Sequence, residues 1–141
     1  MSVTLLSQDE VRQRLKQGQS LAGCEITDLD FDGEAFSGPI DFTEARFTGK
    51  AFFRRVQFFG PVVFRRATFD GPTSFDAAQF KDRASFAFAT FQKVVTFHKG
   101  DFLGHAGFGG TRFFAEAGFA DCRFQGLSRS VLKMRVGTAV S

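Results

Sequence analysis

The sequence predicts an all-β solenoid, a single domain in which short strands stack in successive coils. Three observations lead to this fold. Phenylalanine recurs at intervals that alternate between five and six residues, a small or β-branched residue stands two positions before nearly every one of these phenylalanines, and glycine or proline follows many of them. A regular repeat of this length is typical of architectures in which each unit buries its apolar side against the next.

The phenylalanine series begins at Phe31 and Phe36 and includes 18 of the 22 phenylalanines in the chain. A step of five followed by a step of six gives a period of 11 residues. Tryptophan and tyrosine are absent. Because phenylalanine has no polar atom that needs a partner when buried, the series indicates rings packed in a dry interior. The residues predicted to form this core are Phe42, Phe47, Phe53, Phe58, Phe64, Phe69, Phe75, Phe80, Phe86, Phe91, Phe97, Phe102, Phe108, Phe113, Phe119 and Phe124.

The small residue before each phenylalanine defines a strand, as at Ala45 before Phe47 and Ala67 before Phe69. Side chains two positions apart lie on the same side of an extended chain, so each strand is expected to point one small and one large side chain inward. Glycines that follow the phenylalanines are expected at corners, where they turn the chain at positions that would strain other residues. These corner glycines include Gly38, Gly49, Gly60, Gly71 and Gly104.

Helical alternatives do not fit the pattern. An 11-residue repeat can support a right-handed coiled coil, but at about 100° per residue the steps of five and six place alternate phenylalanines about 140° apart, on two separate stripes. The glycine, proline and threonine content also disfavours a continuous helix. A left-handed hexapeptide solenoid needs an unbroken six-residue spacing, which the chain does not have.

Residues Cys24 to Phe36 keep a strict five-residue spacing. In this the chain resembles the pentapeptide-repeat family, whose unit has a small residue two places before a central leucine or phenylalanine. The resemblance extends over Leu21 to Leu127, and it implies a right-handed quadrilateral β-helix with four strands per coil. The alternating sixth residue departs from the family, so a coil is predicted to contain 22 residues instead of 20, in about five coils. The extra residue lies beside glycine or proline and is expected to widen alternate corners.

Both ends of a solenoid expose strand edges that need a cover. Residues 1–20 are predicted to provide an N-terminal capping helix that begins after Ser7, residues 21–127 the β-helix, and residues 128–141 a C-terminal cap or tail. A weaker helix candidate spans Leu127–Gly137. The apolar residues of the first helix that are expected to pack on the first coil are Leu6, Val11 and Leu15.

Charge is unevenly distributed along the chain. Residues 1–44 carry three basic and nine acidic side chains, a net charge of −6, whereas residues 45–141 carry fifteen basic and six acidic, a net charge of +9. An unevenly charged soluble surface is the simpler interpretation, and a bipolar rod whose ends attract each other or different partners is the alternative. The chain has neither a membrane-span pattern nor a secretory signal pattern, so a cytoplasmic location is predicted.

No arrangement of residues typical of catalysis is present, so we expect no enzymatic activity, no cofactor and no small-molecule substrate. His98 and His105 have no cysteine or carboxylate at ligand spacing, which disfavours a zinc site. Cys24 and Cys122 occupy the small inward position and lie too far apart in the predicted solenoid for a disulfide. We therefore interpret both cysteines as core residues.

Four alternating carboxylates in the first coil permit two interpretations. They can share one face of the chain, as in a calcium site, or they can form a solvated acidic corner. Because no EF-hand pattern follows them, the acidic corner is the favoured interpretation. The four residues are Asp28, Asp30, Asp32 and Glu34.

Two arginine pairs and the phenylalanines outside the series are the most distinctive surface residues. They are predicted as a candidate partner surface, formed by Arg54, Arg55, Arg65, Arg66, Phe52, Phe59, Phe88 and Phe114. With 22 residues per coil, Arg54 is expected above Asp76, and Phe88 follows Arg66 by 22 residues, so its ring can stack on that guanidinium. Outward phenylalanines on a solenoid are candidate contacts, although isolated exposed apolar residues are also common.

The leading functional hypothesis is a non-enzymatic scaffold that binds a protein partner or assembles with itself, as a dimer or a head-to-tail stack. The family resemblance implies an alternative, because some pentapeptide-repeat proteins imitate duplex DNA and protect bacterial DNA gyrase. Such mimicry requires an acidic rod, and the repeats of this chain are basic, so gyrase is a disfavoured partner. A third hypothesis is direct binding of nucleic acid or another polyanion through the arginine pairs.

Overall fold

The computed structural model describes residues 5–125, which form a parallel β-solenoid of about five coils with one short helix near the N-terminus. The predicted all-β solenoid is therefore confirmed. Four sheets form the four sides of the coil. The helix candidate over Leu127–Gly137 and the segment 128–141 lie outside the described residues. Within the described part of the chain, no helix is long and apolar enough to span a membrane.

Residues 5–125 contain twenty short strands, which form the solenoid, and one helix. In chain order they are β1 (Leu5–Leu6), α1 (Gln8–Lys16), β2 (Glu25–Ile26), β3 (Leu29–Asp32), β4 (Ala35–Phe36), β5 (Ile40–Asp41), β6 (Arg46–Phe47), β7 (Ala51–Arg54), β8 (Gln57–Phe58), β9 (Val62–Val63), β10 (Thr68–Phe69), β11 (Thr73–Ser74), β12 (Gln79–Phe80), β13 (Ala84–Ser85), β14 (Thr90–Phe91), β15 (Val95–Thr96), β16 (Asp101–Phe102), β17 (Ala106–Gly107), β18 (Arg112–Phe113), β19 (Ala117–Gly118) and β20 (Arg123–Phe124).

Each sheet is formed by the strands that lie on the same side of successive coils. Sheet A contains β1, β2, β6, β10, β14 and β18, and sheet B contains β3, β7, β11, β15 and β19. Sheet C contains β4, β8, β12, β16 and β20, and sheet D contains β5, β9, β13 and β17. The chain therefore passes through sheets A, B, C and D in turn, which places sheet B across the coil from sheet D.

The strand register confirms 22 residues per coil. Phe47 pairs with Phe69, and Phe69 pairs with Phe91. The first coil is one residue shorter between β2 and β6, because Ile26 pairs with Phe47. This shorter step falls in the stretch that has the strict five-residue spacing.

Stacked rings fill the interior. In one column the centroids of Phe53, Phe75 and Phe97 are separated by 5.1 and 5.0 Å, with nearly parallel ring planes. Phe64 and Phe86 meet Phe75 edge-on from another side of the coil. The structure buries all of the predicted core phenylalanines except Phe119 and Phe124 in the last described coil, which are only partly buried.

Two kinds of corner alternate around the coil. In the five-residue steps the corner is tight: the Ala45 N–H donates to the Phe42 carbonyl at 3.0 Å, and Glu44 adopts a left-handed conformation with φ of 59°. The six-residue steps form the wider corners, and Gly38, Gly49, Gly60, Gly71 and Gly104 lie in them. Left-handed residues recur every 11 positions at Gly33, Glu44, Arg55, Arg66, Ala77, Phe88, Lys99, Gly110 and Asp121.

The structure corrects the role predicted for the corner glycines. Gly60, Gly71 and Gly104 have no left-handed backbone, and most of the left-handed positions hold residues with a Cβ. Glycine is required at Gly71 by close approach, since a Cβ there would lie 2.6 Å from the carbonyl oxygen of Gly49 in the preceding coil. A Cβ on Gly60 would similarly lie 2.7 Å from the Gly38 backbone. These glycines allow coils to stack closely.

Helix α1 covers the first coil, as predicted. Ser7 caps it: the Ser7 hydroxyl accepts from the Glu10 N–H, and the Glu10 carboxylate accepts from the Ser7 N–H. Val11 is completely buried against the core. The Gln8 side-chain oxygen accepts from the Asp30 N–H at 2.7 Å, which satisfies a donor at the start of sheet B.

Candidate functional site

The arginine pair Arg54 and Arg55 lies at a tight corner after sheet B and is neutralised by the preceding coil. The Arg54 Nη2 lies 3.0 Å from Asp30 Oδ1, and Arg55 makes two hydrogen bonds of 2.7 Å to the carboxylate of Asp32. Asp76 does lie in the next coil beside this corner, since its carbonyl accepts from the Arg55 N–H. The ion pair of Arg54 nevertheless forms with Asp30, so the charge of this arginine pair is already balanced.

Removing Arg55 is expected to raise the pKa of Asp32. The hydrogen bonds from Arg55 are the main reason why the pKa of Asp32 is lowered from its ordinary value. A carboxylate whose pKa is lower in the folded state stabilises the fold above its unfolded pKa, and this contribution is lost as pH falls through the folded pKa. NMR titration of the carboxyl carbon in wild type and Arg55→Gln measures the change. Arg66→Gln is the matched control, and an unchanged pKa in Arg55→Gln would contradict the assignment.

The second arginine pair, Arg65 and Arg66, lies at the corner between sheets D and A and is not neutralised. Within residues 5–125, no carboxylate lies within ion-pair distance of either side chain. Instead, their guanidinium carbons lie 5.3 and 5.1 Å from the centroid of the Phe88 ring. Phe88 is the residue that the 22-residue spacing places beside Arg66. Gly110 also lies against this ring, since a Cβ there would lie 2.5 Å from it.

The remaining off-series phenylalanines lie at other places on the surface. Phe52 is partly buried on the outer side of sheet B, beneath the cations of Lys50 and Arg54. Phe59 lies between sheets C and D, is 46% exposed and carries the Lys81 ammonium over its ring. Phe114 lies between sheets A and B and is 57% exposed. The structure therefore does not bring the eight predicted residues together in one surface.

The outer side of sheet D is a surface that the sequence analysis missed. Its outward residues Val63, Ser85 and Gly107 are small and stand in register, 22 residues apart. They form the floor of a groove of about 330 Å³, and Arg83 and His105 contribute to its wall. Arg65 follows β9 at the other border of the sheet, outside the residues that line the groove. This surface could have been predicted from the sequence, because a spacing of 22 residues aligns the three small outward residues in a single column.

The four alternating carboxylates of the first coil, Asp28, Asp30, Asp32 and Glu34, are used in internal contacts. The side chain of Asp28 accepts from the Lys50 N–H, and Glu34 binds Arg12 through two hydrogen bonds of 2.8 and 2.9 Å. Asp30 and Asp32 bind arginines, as described above. Among the described residues, no group of three or more histidine, cysteine or carboxylate side chains could hold a metal ion.

Cys24 and Cys122 are both free thiols and partly buried against the core. Burial raises the pKa of Cys122 to about 11, and the thiol donates to the Phe97 carbonyl. A thiol with this pKa stays protonated near neutral pH, whereas the thiolate is the form that reacts. These contacts fit the packing role that the sequence analysis predicted for Cys122.

Comparison with known families agrees with the repeat geometry. A family model described as pentapeptide repeats, with nine copies, matches residues 31–79 and 53–101. Together the two matches cover residues 31–101, half of the chain. No curated protein and no solved structure matches the chain significantly. The matched residues contain the phenylalanine series, the parallel register and the alternating corners described above, and the chain belongs to the pentapeptide-repeat family.

Proposed function

We propose that this chain is a non-catalytic scaffold that binds a protein partner through the surface around sheet D. The observation that carries the proposal is the difference between the two arginine pairs. Arg54 and Arg55 are held by carboxylates of their own chain, whereas Arg65 and Arg66 stack on an exposed ring and keep their charge available. Arginine and aromatic residues are enriched where protein interfaces gain most of their binding energy.

A rigid support favours the same function. The sheet is held by parallel strands on one side of a solenoid whose interior is packed with stacked rings. Surface residues on such a support lose little conformational freedom on binding, and this lowers the entropic cost of association. A pre-organised surface suits recognition of a partner.

Self-assembly through oppositely charged ends has weaker support. Glu34, Asp30 and Asp32 of the first coil are ion-paired with Arg12, Arg54 and Arg55, which compensates part of the negative charge at that end of the solenoid. The same compensation weakens the DNA-mimic alternative, which requires an acidic surface. A partner other than a second copy is therefore favoured. The cytoplasmic location remains a prediction.

Polyanion binding is a second candidate, because the uncompensated charges of Arg65 and Arg66 also favour phosphate groups. Two neighbouring arginines supply few of the contacts that nucleic-acid binding by phosphate neutralisation needs, which often number about 6–10. The protein partner is therefore the favoured ligand class.

Affinity capture with matched charge variants tests the proposal. We expect wild type to retain a discrete set of proteins, identified by mass spectrometry, that the Arg65→Glu, Arg66→Glu variant loses. The control, Lys93→Glu with Lys99→Glu, makes the same charge change at the borders of sheet B, and Lys99 has the same left-handed φ as Arg66. This control is expected to retain the set. Identical capture by all three forms, or no specific capture, would overturn the proposal.

A further inference from the structure

We propose that the outer face of sheet D binds an acidic polypeptide segment, an inference that rests on the proposed function and names the chemistry of the partner. The face has a floor of small outward side chains, Val63, Ser85 and Gly107, and a groove of about 330 Å³ lies over it. Because no large side chain stands on this floor, a chain can lie against it without displacing protein atoms.

The borders of this face are positively charged. Arg65 and Arg66 follow the sheet on one border, and Arg83 precedes it on the other. Within residues 5–125, none of these three side chains forms an ion pair with a carboxylate. Cations on both sides of an uncharged floor are complementary to a segment with carboxylates on both of its edges.

Three carboxylates also lie on or beside this face: Asp41 on its first strand, Glu44 at the corner after that strand and Asp82 before Arg83. Asp41 lies at the first strand of the sheet, and its Oδ1 accepts from the Thr43 N–H at 2.9 Å. Asp82 precedes Arg83 at the corner, and its Oδ1 accepts from the Arg83 N–H at 2.7 Å. Among the described residues none of these three carboxylates forms an ion pair with Arg65, Arg66 or Arg83, and none lines the groove over Ser85 and Gly107.

Nucleic acid fits this surface less well than a polypeptide does. Single strands are bound by stacking bases on open aromatic faces. The ring of Phe88 is 49% exposed, but Arg65 and Arg66 lie over it and Gly110 lies against it, so a base would compete with both guanidinium groups for its faces. The ring of Phe59 similarly carries the Lys81 ammonium. The outer face of sheet D has an uncharged floor with a few arginines at its borders, and these features are complementary to a short acidic peptide.

Fluorescence anisotropy tests the inference with a labelled peptide of alternating glutamate and alanine. The same peptide with lysine for glutamate and an oligodeoxythymidylate of equal charge serve as comparison ligands. We expect wild type to bind the acidic peptide, with affinity falling as salt is added, and not to bind the basic one. Gly107→Leu places a side chain on the floor of the groove, where a Cβ meets no atom within 4 Å, so this variant can keep the fold.

Gly107→Leu and the Arg65→Glu, Arg66→Glu variant are each expected to weaken acidic-peptide binding by about tenfold or more. The controls, Thr96→Leu on the outer side of sheet B and Lys93→Glu with Lys99→Glu, are expected to bind as wild type does. Circular dichroism verifies that every variant is folded. Preserved binding in Gly107→Leu would overturn the inference, because the peptide would then not occupy the groove.

The remaining outcomes separate this inference from the proposed function. Tighter binding of the oligodeoxythymidylate, lost in the same variants, would overturn the polypeptide assignment in favour of nucleic acid. Failure of the acidic peptide to bind would also overturn the inference. If affinity capture still showed proteins lost from the Arg65→Glu, Arg66→Glu variant, the proposed function would stand with a partner of different chemistry.

Discussion

Replacing Phe75 with alanine is expected to lower the free energy of unfolding by about 3–5 kcal/mol, the usual cost of deleting a buried ring. Phe75 is completely buried. Its ring stacks on Phe53 and Phe97 at 5.1 and 5.0 Å, and Phe64 and Phe86 meet it edge-on at 5.5 and 5.4 Å. Alanine would leave a cavity among these rings, and the strands on either side are held in parallel register, which limits how far the cavity can collapse.

Urea denaturation of wild type and Phe75→Ala measures this loss. Phe114→Ala is the matched control: it removes the same ring from a position that is 57% exposed, and it is expected to change stability by less than about 0.5 kcal/mol. Phe75→Leu keeps most of the volume and should cost much less than alanine does. Equal losses at Phe75 and Phe114 would contradict the assignment of the stacked rings as the main source of stability.

The interior of this solenoid could be predicted from the sequence because it depends on a single local rule. A ring such as Phe69 and a small residue such as Ala67 point to the same side of one strand, and the rule repeats without a long-range exception. The sum of the spacings also predicted the register, which pairs Phe69 with Phe91. The first two steps of sheet A depart from it, since Leu6 pairs with Ile26 and Ile26 with Phe47.

The surface could not be predicted in the same way, because it depends on contacts between coils. Asp30 precedes Arg54 by 24 residues and binds it. Asp41 precedes Arg65 by the same number, but its Oδ1 accepts from the Thr43 N–H, and no ion pair between Asp41 and Arg65 forms in the described residues. Equivalent sequence spacings thus lead to one neutralised arginine pair and one available pair.

The left-handed corners show a further limit of local reasoning. Glycine is the residue that adopts a positive φ most easily, so the glycines of the repeat were the natural candidates for strained corners. The structure instead places residues such as Arg66 and Phe88 there, and their side chains leave the corner toward solvent. The function proposed for Arg66 depends on the exposure of its side chain. The tight corner therefore both turns the chain and holds the Arg66 guanidinium in solvent.

Gly71→Ala is expected to destabilise the protein by about 1–3 kcal/mol, the usual cost of overpacking. The new Cβ would lie 2.6 Å from the Gly49 carbonyl oxygen and 2.7 Å from its carbon, and both are backbone atoms of the neighbouring coil. Relief of this contact requires the two coils to separate, which weakens the hydrogen bonds and ring stacking between them.

Gly38→Ala is the matched control, because Gly38 also lies at a wide corner and a Cβ there meets no atom within 4 Å. Its effect is expected to stay within about 0.5 kcal/mol. Urea denaturation of both variants distinguishes two roles for glycine. If glycine were needed at the wide corner for its backbone freedom, the two substitutions would lower the free energy of unfolding by similar amounts. If it serves close stacking, only Gly71→Ala is destabilising.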